Sequence, residues 1–166
     1  NFFFLFLSGN SDLTSTIPPA IYSLTHLTHL YLNDNKLEGS LSDSLGKLTN
    51  LQGLALHNNR LSHRIPSSIG KLADLRVLYA DGNAFTGSLP TTIGHLDRIV
   101  DLRLGRNKLR GPIPSQIGDM RLLQILYLES NELTGKIPRD LANVPLLREL
   151  HLFQNNFEGG IPSELG

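Results

Sequence analysis

The chain of 166 residues has no cysteine. Disulfides, thiolate metal sites and cysteine nucleophiles are therefore excluded together, although a secreted chain can also lack disulfides. Net charge is missing as well: 15 Lys and Arg balance 15 Asp and Glu. A nucleic-acid binder usually shows a basic excess. No Asn-x-Ser/Thr sequon occurs, which weakens a heavily glycosylated, secreted reading. No apolar run reaches the ~18 residues needed to span a bilayer. The opening "NFFFLFL" has no initiator Met, no basic segment and no small-residue cleavage site, so it reads as a hydrophobic strand and not as a signal peptide.

Catalytic signatures are also lacking. The sequence contains no G-x-G-x-x-G, G-x-x-x-x-G-K-[ST], G-x-S-x-G or H-E-x-x-H. His26 and His29 are three apart, and on a strand such residues point to opposite faces. No pair of carboxylates stands out as an acid/base couple. No metal, no cofactor and no catalysis are expected in this segment.

What is present is leucine, 34 of the 166 residues, in a strict period. "NNRLSHRIPSSIGKL" (58–72) returns downstream as "RNKLRGPIPSQIGDM" and "SNELTGKIPRDLANV". Asn35, Asn59, Asn83, Asn107, Asn131 and Asn155 are each 24 apart. Leu13, Leu37, Leu61, Phe85, Leu109, Leu133 and Phe157 keep the same step, as do Ile17, Leu41, Ile65, Leu89, Ile113, Ile137 and Ile161. The unit is L-x-x-L-x-L-x-x-N-x-L-x-G-x-I-P-x-x-L-G-x-L-x-x. Self-similarity at this period indicates a stacked repeat architecture.

Each column has a physical reason. In "LYL" (30–32) the two Leu share one face and His29, Tyr31 and Asn33 the other. So short a strand buries its apolar face only against the next repeat, in a parallel ladder. After the strand the chain turns inward and leaves backbone groups unpaired. A buried Asn amide donates and accepts, and so can link neighbouring turns. Gly39, Gly87, Gly111, Gly135 and Gly159 stand where a crowded backbone turn is expected. The Ile-Pro step sets an extended entry to a short 3₁₀ segment.

Departures are informative. His63 occupies the glycine column, either as tolerated surface variation or as a local kink. Ser42 replaces a Pro and Ala80 an inward Leu, and each should loosen its repeat slightly. The first repeat fits if Phe2, Leu5, Leu7 and Asn10 take the inward and ladder positions, with one residue inserted between Asn10 and Leu13. Placing Ser11 in the ladder instead would expose Leu5 and Leu7. Neither end reads as a capping repeat, so residues 1–166 are expected to be one uncapped domain of about seven repeats from a longer protein.

These columns resemble the leucine-rich-repeat family, and "LESNELTGKIPRDL" (128–141) is similar to the plant-type subclass with its "LTGxIP" signature. The resemblance covers essentially the whole chain. It implies an α/β solenoid: a right-handed superhelix with a parallel β-sheet on the concave face and short 3₁₀ or loop segments on the convex face. It also implies a role in a receptor-like kinase, a receptor-like protein or an inhibitor of cell-wall-degrading enzymes. The implied partner is a protein or peptide ligand or a co-receptor, with any kinase in a separate domain. The implied location is the extracellular side of the plasma membrane, the alternative being a soluble scaffold or inhibitor, secreted or cytoplasmic.

The candidate recognition surface consists of the strand positions beside the inward leucines. The central column reads Tyr31, Ala55, Tyr79, Arg103, Tyr127 and His151. The one before it reads His29, Gly53, Val77, Asp101, Ile125 and Glu149, and the one after it Asn33, His57, Asp81, Gly105, Glu129 and Phe153. With strands about 4.8 Å apart, the columns tile a surface roughly 30 Å long. The candidates for partner contact are Tyr31, Tyr79, Asp81, Asp101, Arg103, Tyr127, Glu129, Glu149, His151 and Phe153. Tyr and Arg are enriched at binding hot spots. Strand faces also favour Tyr, and mixed charge keeps a sheet soluble, so composition alone leaves both explanations open. The structural Asn ladder is expected at Asn10, Asn35, Asn59, Asn83, Asn107, Asn131 and Asn155.

Overall fold

The computed structural model of the protein describes residues 3–10 and 12–165. Phe2 and Ser11, invoked above for the first repeat, lie outside the described residues. Each coil runs strand, inward turn, second strand and 3₁₀ turn. The first strands are Phe4–Phe6, His29–Tyr31, Gly53–Ala55, Val77–Tyr79, Asp101–Arg103, Ile125–Tyr127 and Glu149–His151, and they form one parallel sheet of seven in chain order. Its register is that of the repeat: Leu54 pairs with Leu30 on one side and Leu78 on the other. Phe4 pairs with His29 one residue further along the chain than the later steps, while Thr14 pairs with Lys36 at the same offset as Glu38 with Arg60. The first coil is thus one residue longer between its two strands. Leu5 faces the core in line with Leu30.

The columns of Leu and Ile fill the space enclosed by the coils. Leu54, Leu56, Leu61, Leu72, Leu75 and Phe85 are all fully buried. Burying one such side chain stabilises by about 1.5–3 kcal/mol, and each is covered by the coils above and below it. Ala80 is buried too, within the same core.

The Asn ladder joins the coils. Asn59 Oδ1 accepts from the Leu37 N–H at 2.9 Å, and its Nδ2 donates to the Leu32 carbonyl of the preceding coil at 2.9 Å and to Leu56 of its own at 3.0 Å. Asn83, Asn107, Asn131 and Asn155 repeat this pattern. Asn35 accepts from the Asn10 N–H instead, as the longer first coil requires, and Asn10 donates to the Leu7 and Ser8 carbonyls.

A second seven-stranded parallel sheet was not anticipated from the sequence. It comprises Thr14–Thr16, Lys36–Ser40, Arg60–Arg64, Ala84–Gly87, Lys108–Gly111, Glu132–Gly135 and Asn156–Phe157. Its strands contain the glycine column, which is poor in strand formers, so periodicity gave no strand signal there. Those glycines have φ between +74° and +83°. His63 adopts the same left-handed conformation at φ 67°, and Ser15 does so at 85°. The substitution therefore leaves the turn in place. Ser42 keeps the extended backbone of the Pro column, and its Oγ accepts from the Ser44 N–H at 3.1 Å, a cap the prolines do not supply. The helical elements are 3₁₀ turns such as Ser67–Lys71 and Ser115–Asp119.

Two stability outcomes follow. Asn107→Ala strands the buried Phe85 N–H and removes one of two donors from each of the Ala80, Leu104 and Gly105 carbonyls; at ~1–3 kcal/mol for an unsatisfied buried group, a loss of about 2–3 kcal/mol is expected, read by urea denaturation. His63→Gly relieves a left-handed non-glycine residue, which costs about 1–2 kcal/mol, partly offset by the entropy of an unfolded glycine. A net gain of about 0.5–1 kcal/mol is expected in the same assay.

Candidate functional site

The concave sheet carries its outward side chains in register, so residues 24 apart lie side by side. Arg103 lies at the centre of the C-terminal half. Its Nε and Nη2 donate to the two carboxylate oxygens of Asp101 at 2.9 and 2.8 Å. Its guanidinium carbon is 4.9 Å from the Tyr79 ring centroid and 4.8 Å from that of Tyr127. The cation is thus sandwiched between two aromatic faces, each contact worth roughly 0.5–1 kcal/mol where exposed. The Tyr79 hydroxyl donates to Asp101 Oδ2 at 3.0 Å. Tyr127 stacks on His151 at 4.0 Å with ring planes 4° apart, and its hydroxyl donates to Glu149.

Asp101 does not serve as the exposed contact the sequence suggested. It is only 6% exposed. A carboxylate so far removed from water must be paired, and Arg103 and Tyr79 saturate it. Its role is to fix Arg103. The free Nη1 of Arg103 is left with its donors unused among the described residues. Both titration points move upward: burial, then the Asp101 hydrogen bond and charge, raises Tyr79 above the ordinary tyrosine value, and Arg103 opposes this. The Asp101 hydrogen bond raises Arg103 further, so it stays charged.

Asp81 was expected beside Arg103 but is paired elsewhere. Arg106 Nη2 reaches Asp81 Oδ2 at 2.9 Å. Glu129 leans across Gly105, where a Cβ would collide with its carboxylate, and its Oε2 is buried without a partner among the described residues. Phe153 is 58% exposed and tilts against His151. Tyr31 is not part of this cluster. It stacks on Phe6 at 4.8 Å, and Ala55 separates it from Tyr79.

Sequence reasoning missed a fourth outward column. Asp34, Asn58, Gly82, Arg106, Ser130 and Gln154 each precede a ladder Asn, and all have φ between 52° and 64°. Asp, Asn and Gly tolerate this conformation, which was a legible signal. The column joins the site through Arg106; nearer the N-terminus, Asp34 accepts from Asn58 and Asn33 at 2.7 and 2.6 Å. Those two bonds lower the Asp34 titration point. No cluster of His, Asp and Glu suited to a metal occurs among the described residues, and no helix there is long and apolar enough to cross a membrane.

The family described as leucine-rich repeat region matches residues 19–164. No curated protein matches the chain. Among solved structures, a TDR receptor is 34% identical over 97% of this chain, with a TM-score of 0.94. The Arabidopsis receptor kinase HAESA, in complex with the peptide hormone IDA and the co-receptor SERK1, is 35% identical over 96%, with a TM-score of 0.93. A leucine-rich-repeat protein of Leptospira interrogans is 32% identical over 86%, with a TM-score of 0.77. The chain spans about a quarter of the two receptor chains, 28% and 27% of their lengths.

A raised tyrosine stabilises the fold while protonated, in full below the ordinary value near 10 and progressively less as pH rises through the folded one. Ultraviolet titration should therefore show Tyr79 ionising above 10. Asp101→Asn should bring it part of the way down, because burial, the larger cause, remains.

Proposed function

Because the chain belongs to the leucine-rich-repeat family, in its plant-type subclass, we propose that it is the recognition part of a receptor-like kinase or receptor-like protein and binds a peptide or protein on its concave face. One observation carries this reading: Tyr79, Arg103 and Tyr127 form a preassembled stack held from below by Asp101. Its side chains are already ordered, so binding loses little conformational entropy. Tyr and Arg are also the side chains that concentrate binding energy at interfaces. The contact set extends to Glu129, Glu149, His151 and Phe153, with Asp81 and Arg106 on the rim. Tyr31 would meet a separate part of an extended ligand.

HAESA, solved with a peptide hormone and a co-receptor, supports a peptide as the ligand class. The mechanism is rigid presentation. The ligand lies along the strands' outward side chains, and its occupied surface is offered to a second protein. Signal output, a membrane anchor and an extracellular position belong to the longer chain that this reading supposes. A soluble inhibitor or scaffold is the alternative, since a fold alone does not choose between such functions.

The experiment is selection of a random dodecapeptide library on the immobilised chain, followed by affinity measurement on variants. Tyr79→Ala and Arg103→Ala should each weaken a selected peptide by more than about fivefold, or ~1 kcal/mol. Arg121→Ala, on an exposed residue that bonds only the Asn143 carbonyl, should change nothing. Equal affinity in all three variants would remove the site assignment.

A further inference from the structure

The concave face leaves unexplained His63, which departs from the glycine column, and the adjacent Arg64. They lie on the second sheet, on a different face of the coils. There an open cleft of ≈ 660 Å³ runs across three successive coils, within the size range of small-molecule sites. Its floor is apolar, with Leu41 and Ile65 almost fully buried beneath Pro66 and Pro90. Its walls carry the hydroxyls of Ser40, Ser67 and Ser88, the Asp43 carboxylate, and the His63 and Arg64 side chains.

The geometry makes room for Arg64. It is aligned with Thr86 on the neighbouring strand, and its stem lies against Gly87, where a Cβ would come within 2.8 Å of Arg64 Cγ. The short Ser40 and Ser88 take the equivalent positions one coil either side. Arg110 on the same sheet is paired with Glu132 at 2.8 Å. Arg64 has no ion pair and no hydrogen bond among the described residues. Beside it, His63 holds a left-handed backbone that glycine fills in five other coils. Side chains kept against the backbone preference cluster at functional sites; the ring's partner among the described residues is the adjacent Ser62 Oγ, 2.9 Å from Nδ1, which leaves Nε2 free.

We propose that this cleft binds an acidic sugar: a pyranose ring bearing one carboxylate or phosphate. The anionic group meets Arg64, the charge-assisted and geometrically specific partner for such oxygens, with His63 Nε2 donating beside it while Nδ1 stays with Ser62. Asp43 and the serine hydroxyls supply acceptors and donors for ring hydroxyls. Pro90, half-buried, presents apolar surface to the ring's C–H face above the buried Pro66. A purely apolar ligand has no use for three hydroxyls, and a bare anion has no use for Asp43 or the prolines. The site is independent of the peptide-binding reading.

The test is a ¹H–¹⁵N NMR titration of the 166-residue chain with glucuronate, glucose 6-phosphate, glucose and inorganic phosphate. Saturable shifts confined to the amides of Ser40, His63, Arg64 and Ser67 are expected with an acidic sugar. Whichever of glucuronate or glucose 6-phosphate binds more tightly identifies carboxylate or phosphate as the group recognised. Glucose should bind about tenfold more weakly, and so should the acidic sugar to Arg64→Gln, a single charge-assisted contact being worth roughly that factor. His63→Gly keeps the turn that glycine adopts elsewhere, so it should weaken binding in a folded chain. Absence of saturable shifts with both acidic sugars overturns the proposal. Inorganic phosphate binding as tightly as the sugars, or glucose equalling them, overturns it as well. A selected peptide binding Arg64→Gln with unchanged affinity would show the two faces to be separate.

Discussion

The ladder of buried asparagines is the interaction on which the other features depend. A coil of 24 residues must reverse direction after three residues of strand, and reversal exposes N–H and C=O groups that no strand partner can reach. One amide per coil resolves this. Asn107, for example, bonds the Phe85 N–H and the Ala80 carbonyl of the coil before and the Leu104 carbonyl of its own. Because the bonds cross from coil to coil, they fix the step between neighbours along with the turn. The leucine columns supply the larger free energy, but apolar contact is non-directional and would tolerate slippage. The amide sets the register, and register is what places Tyr79 beside Arg103 and Arg103 beside Tyr127.

From this register the concave site follows with few added parts. Residues one coil apart are neighbours whether or not they interact, so a functional cluster needs only the right letters in one column. Tyr79, Arg103 and Tyr127 are successive entries of the central column, with Asp101 and Glu149 in the column beside it. Asp101 illustrates the division of labour. Buried and accepting three hydrogen bonds, it is poorly placed to meet a ligand, and it holds a guanidinium in one orientation between two rings. An unanchored arginine would lose about 1.5–2 kcal/mol of rotamer entropy on being immobilised. Here much of that ordering is complete before a partner arrives.

The architecture was legible because period, Leu spacing and the Asn column are one-dimensional signals with one-dimensional causes. The outward columns were legible for the same reason, since strand alternation assigns every position a face. What the sequence hid was pairing. Asp81 reads as a neighbour of Arg103, yet it bonds Arg106, because the residue before each ladder Asn turns left-handed and swings its side chain over the concave rim. Asp101 reads as exposed, and burial by its own partners is a property of three side chains together. The second sheet was hidden because its strands pass through the glycine column, where strand propensity is lowest and cross-coil hydrogen bonding decides the outcome.

Arg106 is the position where the local rule and the global arrangement disagree most. Five companions fill its column. Asp34, Asn58 and Gly82 suit a left-handed backbone, whereas Arg106, like Ser130 and Gln154, sits there at a cost of about 1–2 kcal/mol. Its ion pair with Asp81 does not offset that: the Arg106 side chain is 63% exposed, and surface pairs return about 0–1 kcal/mol. Stability therefore gives no reason for a guanidinium at this point, and Asn or Gly would serve the turn better. The residue does place a second cation on the rim of the surface that Arg103 centres. Natural sequences break local rules chiefly at functional or strained sites, and the excess cost at Arg106 falls beside the stack and away from the convex turns. The side chain's place beside Asp81, and not the cost it shares with Ser130 and Gln154, is what ties it to the concave face.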